Sequence, residues 1–312
     1  GELIVTQSNA TPPSSRDPRL DPAKVDALLA RLPHEVDEGL SPAVQVAVAL
    51  DGQVVVEAGF GAPLGSRFVG FSTTKALVAG AIWRLLDAGE VDLQASAATY
   101  LPEFASNGKD AVTVEHLLTH LGGFPWAPLG PNRWGSLASR REAYARWRLT
   151  LDPGTTYVYH PTAGHWVLAD IASVVTGLEH ADAIEELVTA PLGLPRLLGI
   201  APEDQGGIVD AVAVGAPPTP EEMEEAFGIK VDIAQLIPPD VAINALLSLN
   251  DPEARAVGVA GGGGVYRARD LAMLYQAFLH DPADMWSDEV LVEGTQRVRM
   301  NLPDIWGVPA SR

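Results

Sequence analysis

The tetrad Ser72-Thr73-Thr74-Lys75 stands at the start of a long apolar run, residues 76–88, and constrains this chain more than any other feature. Residues three apart on a helix lie on one face, so the serine hydroxyl and the lysine amine are expected side by side. The preceding residues 67–71 are apolar apart from Arg67, and they are strand-like. The pattern predicts a buried strand that turns into a helix, whose free N–H groups favour developing negative charge. Ser72 is therefore a candidate nucleophile.

The tetrad alone is a weak signal, because a serine cap followed by a solvated lysine is a common arrangement at helix starts. Three later segments strengthen the interpretation of Ser72 as a nucleophile. They are Val114 to Pro125, which includes Leu117-Leu118-Thr119-His120, Pro153 to Pro161, and His165 to Gly177. In that order and spacing they resemble the serine β-lactamase and penicillin-binding-protein superfamily, particularly its class C-like esterase and peptidase branch. The resemblance extends from about residue 40 to residue 312.

The resemblance implies an α/β fold, in which helices flank an antiparallel sheet and an all-helical subdomain is added. Residues 1–20 are expected to form an extended N-terminal arm. The α/β subdomain is expected to combine residues 21–75 with residues 245–312. Residues 76–244 are expected to form the helical subdomain, with a turn-rich excursion at residues 201–240 on the rim of the pocket.

Local patterns predict the elements. Apolar residues at helical spacing predict an opening helix from residue 21 or 22 to about residue 38, and two Val-rich runs, residues 41–50 and 53–59, predict a β-hairpin. The Asp51-Gly52 pair between those runs favours a type I′ turn. Further helices are predicted at residues 72–88, 113–121, 137–148, 163–176, 181–187, 220–227 and 269–280.

The predicted catalytic residues are Ser72, Lys75 and Tyr159. A serine hydroxyl is a poor nucleophile until a base removes its proton, and a lysine can do so only when neutral, which burial promotes. The resemblance implies that Tyr159 matches the tyrosine of the superfamily's Tyr-x-Asn motif, where it bonds Ser72 or Lys75 and passes a proton to the leaving group. The alternative for Tyr159 is a ring packed in the helical subdomain.

The Tyr-x-Asn motif departs from its pattern at the third position, which is Pro161. Proline has no polar side-chain atom and no N–H, so recognition of peptide-like amides is in doubt. The adjacent His160 is a candidate replacement contact to substrate. Trp126 is a candidate for lining an acyl or aromatic cleft, although large aromatics are equally expected in a core.

Gly262 and Gly263 are candidate substrate-binding residues within the run Gly261-Gly262-Gly263-Gly264. The run lacks the Lys-Ser or Lys-Thr that follows a nucleotide-binding loop. The resemblance implies a tight backbone passage there.

Metals, cofactors and nucleic acid are not expected. His116 and His120 have the spacing of a metal pair, but the glutamate of a His-Glu-x-x-His site is absent, and the resemblance implies a structural His120. The absence of cysteine excludes disulfides, thiolate metal sites and a cysteine nucleophile. A formal net charge of −19 disfavours nucleic acid and anionic lipid.

No apolar run approaches the roughly 18 residues that span a bilayer, and no signal peptide is visible, so a cytoplasmic and a mature secreted form both stay open. The resemblance implies three further strands and a Lys-Thr-Gly or His-x-Gly motif, and residues 270–312 contain no such motif. A C-terminal fragment or second chain is therefore expected to complete the sheet.

The function expected is cleavage of carboxylic esters through an acyl-enzyme on Ser72. One alternative is an amide-directed enzyme, such as a D-amino-acid peptidase, a transpeptidase-like cyclase or a weak β-lactamase. Another is a non-catalytic penicillin-binding or sensor module that keeps the fold.

Overall fold

The Val-rich runs form an antiparallel hairpin in the computed structural model. Strand β1 is Val44–Leu50 and strand β2 is Gln53–Phe60. Asp51 and Gly52 have φ angles of 47° and 75°, and a type I′ turn requires positive φ at both positions. The hairpin prediction is confirmed.

The structure describes residues 17–232 and 242–305. Contacts between Cα atoms divide it into two units. The first unit contains residues 17–68, 206–232, 242–248 and 266–280, and the second contains the rest of the described chain. These units differ in extent from the predicted subdomains, and the predicted boundaries stay predictions. Residues 1–16 of the predicted N-terminal arm and residues 233–240 of the predicted rim excursion lie outside the described residues. The rim position of residues 201–240 also stays a prediction.

Two helices pack on the hairpin in the first unit. Helix α1 is Pro22–Asp37, which begins after the Asp21 cap, and its bounds agree with the predicted opening helix. The other helix, Ala268–His280, contributes Gln276, whose side chain accepts a hydrogen bond from the Gly52 N–H at 2.7 Å. Outside the hairpin, the short strand β3, Arg67–Val69, pairs in parallel with β4, Ile208–Val209.

The second unit is helical. Its α2, Thr74–Asp87, buries Leu77, Val78, Ala81, Ile82 and Leu85, which recur at helical spacing along one face. The other α-helices of this unit in the described chain are α3 Val114–Leu118, α4 Pro131–Trp134, α5 Leu137–Tyr144, α6 Ala163–Thr176, α7 His180–Ile184, α10 Pro252–Val257 and α12 Asp288–Thr295. The first unit also contains α8 Pro220–Phe227, α9 Ile243–Leu247 and α11, the helix Ala268–His280 described above.

Helix α6 is the most buried of these, because residues 163–173 are all buried. A helix that is apolar around its whole circumference is stable only when it is surrounded by protein. Its one buried carboxylate, Asp170, receives two hydrogen bonds from Arg140 Nε at 3.0 Å, one from Arg140 Nη2 at 2.7 Å and one from the Tyr144 hydroxyl at 2.5 Å. This pair joins α5 to α6.

Two predicted helices are shorter than expected, and a third extends beyond its predicted end. The helix predicted to residue 121 ends at Leu118, because His120 adopts a left-handed φ of 60°. The helix predicted to residue 148 ends at Tyr144, and the helix predicted at residues 181–187 continues from Glu185 as a single π-helical turn. None of the helices in the described chain has the length and apolar character needed to cross a membrane.

Candidate active site

The strand-to-helix transition predicted around Ser72 is present. After β3, the Gly70 N–H donates to the Gly264 carbonyl at 2.8 Å, and residues 71–73 form a 3₁₀ turn that leads into α2. Phe71 has a φ of 46°, a left-handed conformation that costs about 1–3 kcal/mol for a residue with a side chain. Thr74 Oγ1 holds this turn: it donates to the Phe71 carbonyl at 2.6 Å and accepts from the Gly264 N–H at 2.8 Å. The exposed Ser72 is thereby fixed at the helix start.

The structure brings together the three side chains predicted to be catalytic. Lys75 Nζ lies 3.2 Å from Ser72 Oγ, and the Tyr159 hydroxyl donates to the same oxygen at 2.7 Å. The Lys75 amine also lies 5.0 Å from the centre of the Tyr159 ring. The serine oxygen therefore has a possible base on one side and a proton donor on the other.

Two backbone carbonyls hold the Lys75 amine. Nζ donates to the Pro161 carbonyl at 2.7 Å and to the Gly261 carbonyl at 2.8 Å. An ammonium group has three protons, which can serve both carbonyls and Ser72 Oγ. A neutral amine has two protons, so when both serve the carbonyls its lone pair faces the Ser72 hydroxyl. This arrangement leaves the lone pair of a neutral Lys75 within hydrogen-bond reach of the Ser72 hydroxyl.

Burial sets the protonation of the two groups beside Ser72. Burial lowers the pKa of Lys75 from 10.5 to about 7, so the neutral amine is accessible near neutral pH. Burial raises the pKa of Tyr159, and the hydrogen bond to Ser72 opposes that shift in part. Tyr159 therefore keeps its proton at neutral pH, while Lys75 can lose its own.

The glycine run brings two backbone segments unusually close. A Cβ on Gly261 would lie 2.8 Å from the Pro161 carbonyl oxygen and 2.7 Å from Thr162 Cα, and a Cβ on Gly263 would lie 2.6 Å from the Val259 nitrogen. All three distances are shorter than side-chain contacts allow. At Gly262 the nearest atoms would be 3.7 Å away, which is ordinary contact. Whether Gly262 and Gly263 touch substrate stays a prediction.

The other predicted substrate contacts lie in different environments. The side chain of His160 is buried, with 1% exposure, and both of its ring nitrogens bond the protein. Trp126 is 45% exposed and follows the loop in which Phe124 is buried. Their contact with substrate also stays a prediction.

His116, which was considered above as a metal ligand, caps helix α3. Its Nδ1 accepts a hydrogen bond from the Thr113 N–H at 3.3 Å.

Sequence reasoning missed several contributors to the site. The Pro161 and Gly261 carbonyls are invisible to side-chain motifs, although the glycine run marks the place of the second. The ring of His120 packs 4.7 Å from the Tyr159 ring, centre to centre, and 5.6 Å from the ring of His165. Burial lowers the pKa of His165 far below its ordinary value, and the charge of Lys75 acts in the same direction.

The sequence and the fold are similar to those of known proteins. The sequence model of the beta-lactamase family matches residues 25–303. The chain belongs to the beta-lactamase family. Among curated members, this beta-lactamase-family chain is 27% identical over 302 residues to "Esterase/beta-lactamase LipL" of Mycobacterium tuberculosis, covering 83% of the chain and 64% of that protein. It is 31% identical over 173 residues to "Putative D-alanyl-D-alanine carboxypeptidase" of Escherichia coli, covering 49% and 40%.

Solved structures of the family share the fold. A family VIII carboxylesterase superposes with a TM-score of 0.74 at 24% identity, covering 92% of this chain and 79% of that one. A penicillin-binding protein homologue from Caulobacter crescentus gives 0.72 at 25% identity, covering 94% and 80%. The predicted fold class and superfamily are confirmed. The chain spans 40% and 64% of the length of the two curated relatives.

Proposed function

We propose that this chain is a serine hydrolase that cleaves carboxylic esters through an acyl-enzyme on Ser72. The observation that carries the proposal is the position of Ser72 Oγ, 3.2 Å from Lys75 Nζ and 2.7 Å from the Tyr159 hydroxyl. A nucleophile within hydrogen-bond reach of a base, beside a second proton carrier, is the arrangement that covalent catalysis requires. The relatives described above support the same reaction class.

Each proton has a path in this geometry. Neutral Lys75 takes the Ser72 proton as Oγ attacks the ester carbonyl carbon, and negative charge develops at the start of α2, where helix N–H groups favour it. The Tyr159 hydroxyl then donates its proton to the departing alkoxide and recovers one from the Lys75 ammonium. Water enters, gives a proton back through the same groups, and releases the carboxylic acid with Ser72 restored. Lys75 and Tyr159 act as one proton-sharing unit.

Esters are favoured over amides by the residue at position 161. An asparagine there would offer an amide to the substrate, whereas Pro161 has only its carbonyl, and that carbonyl accepts from Lys75 at 2.7 Å. The net charge of −19 also disfavours substrates that carry a carboxylate, which include β-lactams and peptides with a free C-terminus. The D-amino-acid peptidase alternative draws its support from the name of the Escherichia coli relative.

Parallel turnover tests separate these alternatives. We expect p-nitrophenyl esters to be hydrolysed faster than a chromogenic cephalosporin or a D-alanyl-D-alanine peptide under the same conditions. Ser72→Ala removes only the nucleophilic oxygen, so it should abolish ester hydrolysis and leave the melting temperature unchanged. Faster peptide or cephalosporin turnover would assign the amide-directed function instead.

A labelling experiment tests the non-catalytic alternative. A fluorophosphonate should form an adduct on Ser72 with loss of fluoride, and a p-nitrophenyl ester should form an acyl group on Ser72 that intact mass after a chase shows being released. Acylation without release would indicate a binding or sensor module. The expectation that a further segment completes the sheet stays a prediction.

A further inference from the structure

The chain neighbours of His160, Tyr159 and Pro161, each contact one member of the Ser72–Lys75 pair. On one side of it, the Tyr159 hydroxyl donates to Ser72 Oγ at 2.7 Å. On the other side, the Pro161 carbonyl accepts from Lys75 Nζ at 2.7 Å. The position of residue 160 therefore influences both contacts at once, although its own ring is buried.

The His160 ring is fixed by two hydrogen bonds of opposite kind. Nε2 accepts from the Phe124 N–H at 3.2 Å, so the ring proton must be on Nδ1, which donates to the Val158 carbonyl at 2.6 Å. The second bond reaches back across Tyr159 in the chain and closes the turn that presents it. Burial lowers the pKa of His160 to about 4, so the ring stays neutral and keeps both bonds at neutral pH.

The backbone of residue 160 is held as well. Its N–H donates to His120 Nδ1 at 3.1 Å, and the His120 ring packs against the Tyr159 ring. A Cβ on Gly122 would lie 3.3 Å from His160 Nε2, tighter than most contacts, so the glycine leaves room for the ring. These contacts together fix residues 158–160 in one conformation.

We propose that His160 is a positioning residue, which bridges the Val158 carbonyl and the Phe124 N–H so that the Tyr159 hydroxyl and the Pro161 carbonyl meet Ser72 and Lys75. This inference rests on the proposed ester hydrolysis at Ser72. It gives His160 a role through its neighbours in the chain, in place of a contact with substrate. A misplacement of reacting groups by about 1 Å costs about 10²-fold in rate, so loosening this turn should lower kcat and leave KM unchanged.

Three substitutions separate the two ring contacts. His160→Asn places an amide N–H near the position of Nδ1 and keeps the bond to Val158. His160→Gln places an amide oxygen near the position of Nε2 and keeps the bond to Phe124. His160→Phe removes both bonds and keeps an aromatic ring in the buried site.

We expect kcat for a p-nitrophenyl ester to fall about 10²-fold in His160→Phe with KM unchanged. His160→Asn should recover most of that loss, because it alone closes the turn across Tyr159, and His160→Gln should not. A raised KM with unchanged kcat would show that His160 contacts substrate and would overturn the inference. Equal kcat in the asparagine and glutamine variants, or wild-type kcat in the phenylalanine variant, would also overturn it.

His180 provides a matched control, since it is 3% exposed and its Nε2 bonds a backbone oxygen, the Gly258 carbonyl, at 2.8 Å. His180→Phe should keep wild-type kcat per folded molecule, and an equal loss there would overturn the inference. If His160→Phe does not fold, the asparagine and glutamine variants decide. A wild-type chain that fluorophosphonate does not label at Ser72 refutes the proposed function and this inference together. Labelling at equal rates in wild type and every His160 variant refutes the inference alone.

Discussion

Gly261→Ala should weaken Lys75 as the proposed base without changing any of the proposed catalytic side chains. The φ of Gly261 lies outside the left-handed region, so alanine is tolerated by the backbone, and its cost is steric. The new Cβ would lie 2.8 Å from the Pro161 carbonyl oxygen, and ordinary contact begins at 3.4 Å. We expect the carbonyl to move by about 0.6 Å, and a shift of that size along its 2.7 Å bond to Lys75 lengthens the bond to about 3.3 Å, beyond the normal range of about 2.7–3.2 Å.

Two effects on the reaction follow from that displacement. The lone pair of Lys75 no longer points at the Ser72 hydroxyl, so kcat should fall by about 10-fold to 10²-fold. The ammonium form of Lys75 also loses an acceptor while a methyl group is added beside it, and both changes lower the pKa of the lysine below about 7. In the proposed mechanism the neutral amine is the base. The rise of kcat/KM with pH should therefore shift to lower pH, and the maximum value of kcat/KM should be lower than in the wild type.

The assay is kcat/KM for a p-nitrophenyl ester between pH 5 and 10, beside the rate of fluorophosphonate labelling at Ser72. Gly135→Ala is the matched control, since a Cβ there meets nothing within 4 Å, and it should leave both profiles unchanged. A lower plateau with an unmoved acid limb would indicate a loss of folded protein alone. That result, or an unchanged plateau and limb, would refute the role assigned to the two carbonyls.

Three further outcomes are expected. Lys75→Ala and Tyr159→Phe should each lower kcat by about 10²–10⁴-fold, and together by much less than the product, because they share one proton path; multiplicative losses would show separate roles. In the wild type, kcat/KM should rise with pH through about 7 as Lys75 becomes neutral, and stay high until above the ordinary tyrosine pKa of about 10, since burial raises the pKa of Tyr159. Arg140→Met should cost about 3–5 kcal/mol in urea unfolding, because it leaves the Asp170 carboxylate buried without a cation, and Ser72 labelling per folded molecule should not change.

Elements defined by local chemistry could be predicted from the sequence. The Asp51-Gly52 turn follows from the φ angles that those residues tolerate. Helix α6 has the predicted bounds because Gly177, with a φ of 74°, supplies the left-handed cap that ends it. The grouping of Ser72 with Lys75 follows from their helical spacing, and the addition of Tyr159 came from the family resemblance.

Features that depend on contacts between distant segments could not be predicted in this way. The helix expected to reach residue 121 stops early because His120 turns out of it and packs against Tyr159, which is a tertiary effect. The carbonyl of Gly261 reaches Lys75 across 186 positions of the sequence. Motif comparison considers side chains, and a carbonyl is present at every residue, so the pattern contains no sign of which one is used.

The proline at position 161 shows how a motif can lose a side chain and keep part of its chemistry. Asparagine at that position can serve the lysine and a substrate amide, whereas proline retains only a carbonyl. In this chain that carbonyl accepts from Lys75, and the lack of an N–H on proline costs nothing there because the lysine needs an acceptor. Under the proposed mechanism, Lys75 therefore keeps an acceptor at position 161, and the side-chain amide that could contact a substrate amide is absent. An ester has no amide N–H, so the absence of an asparagine side chain at this position should weaken binding of an amide more than binding of an ester.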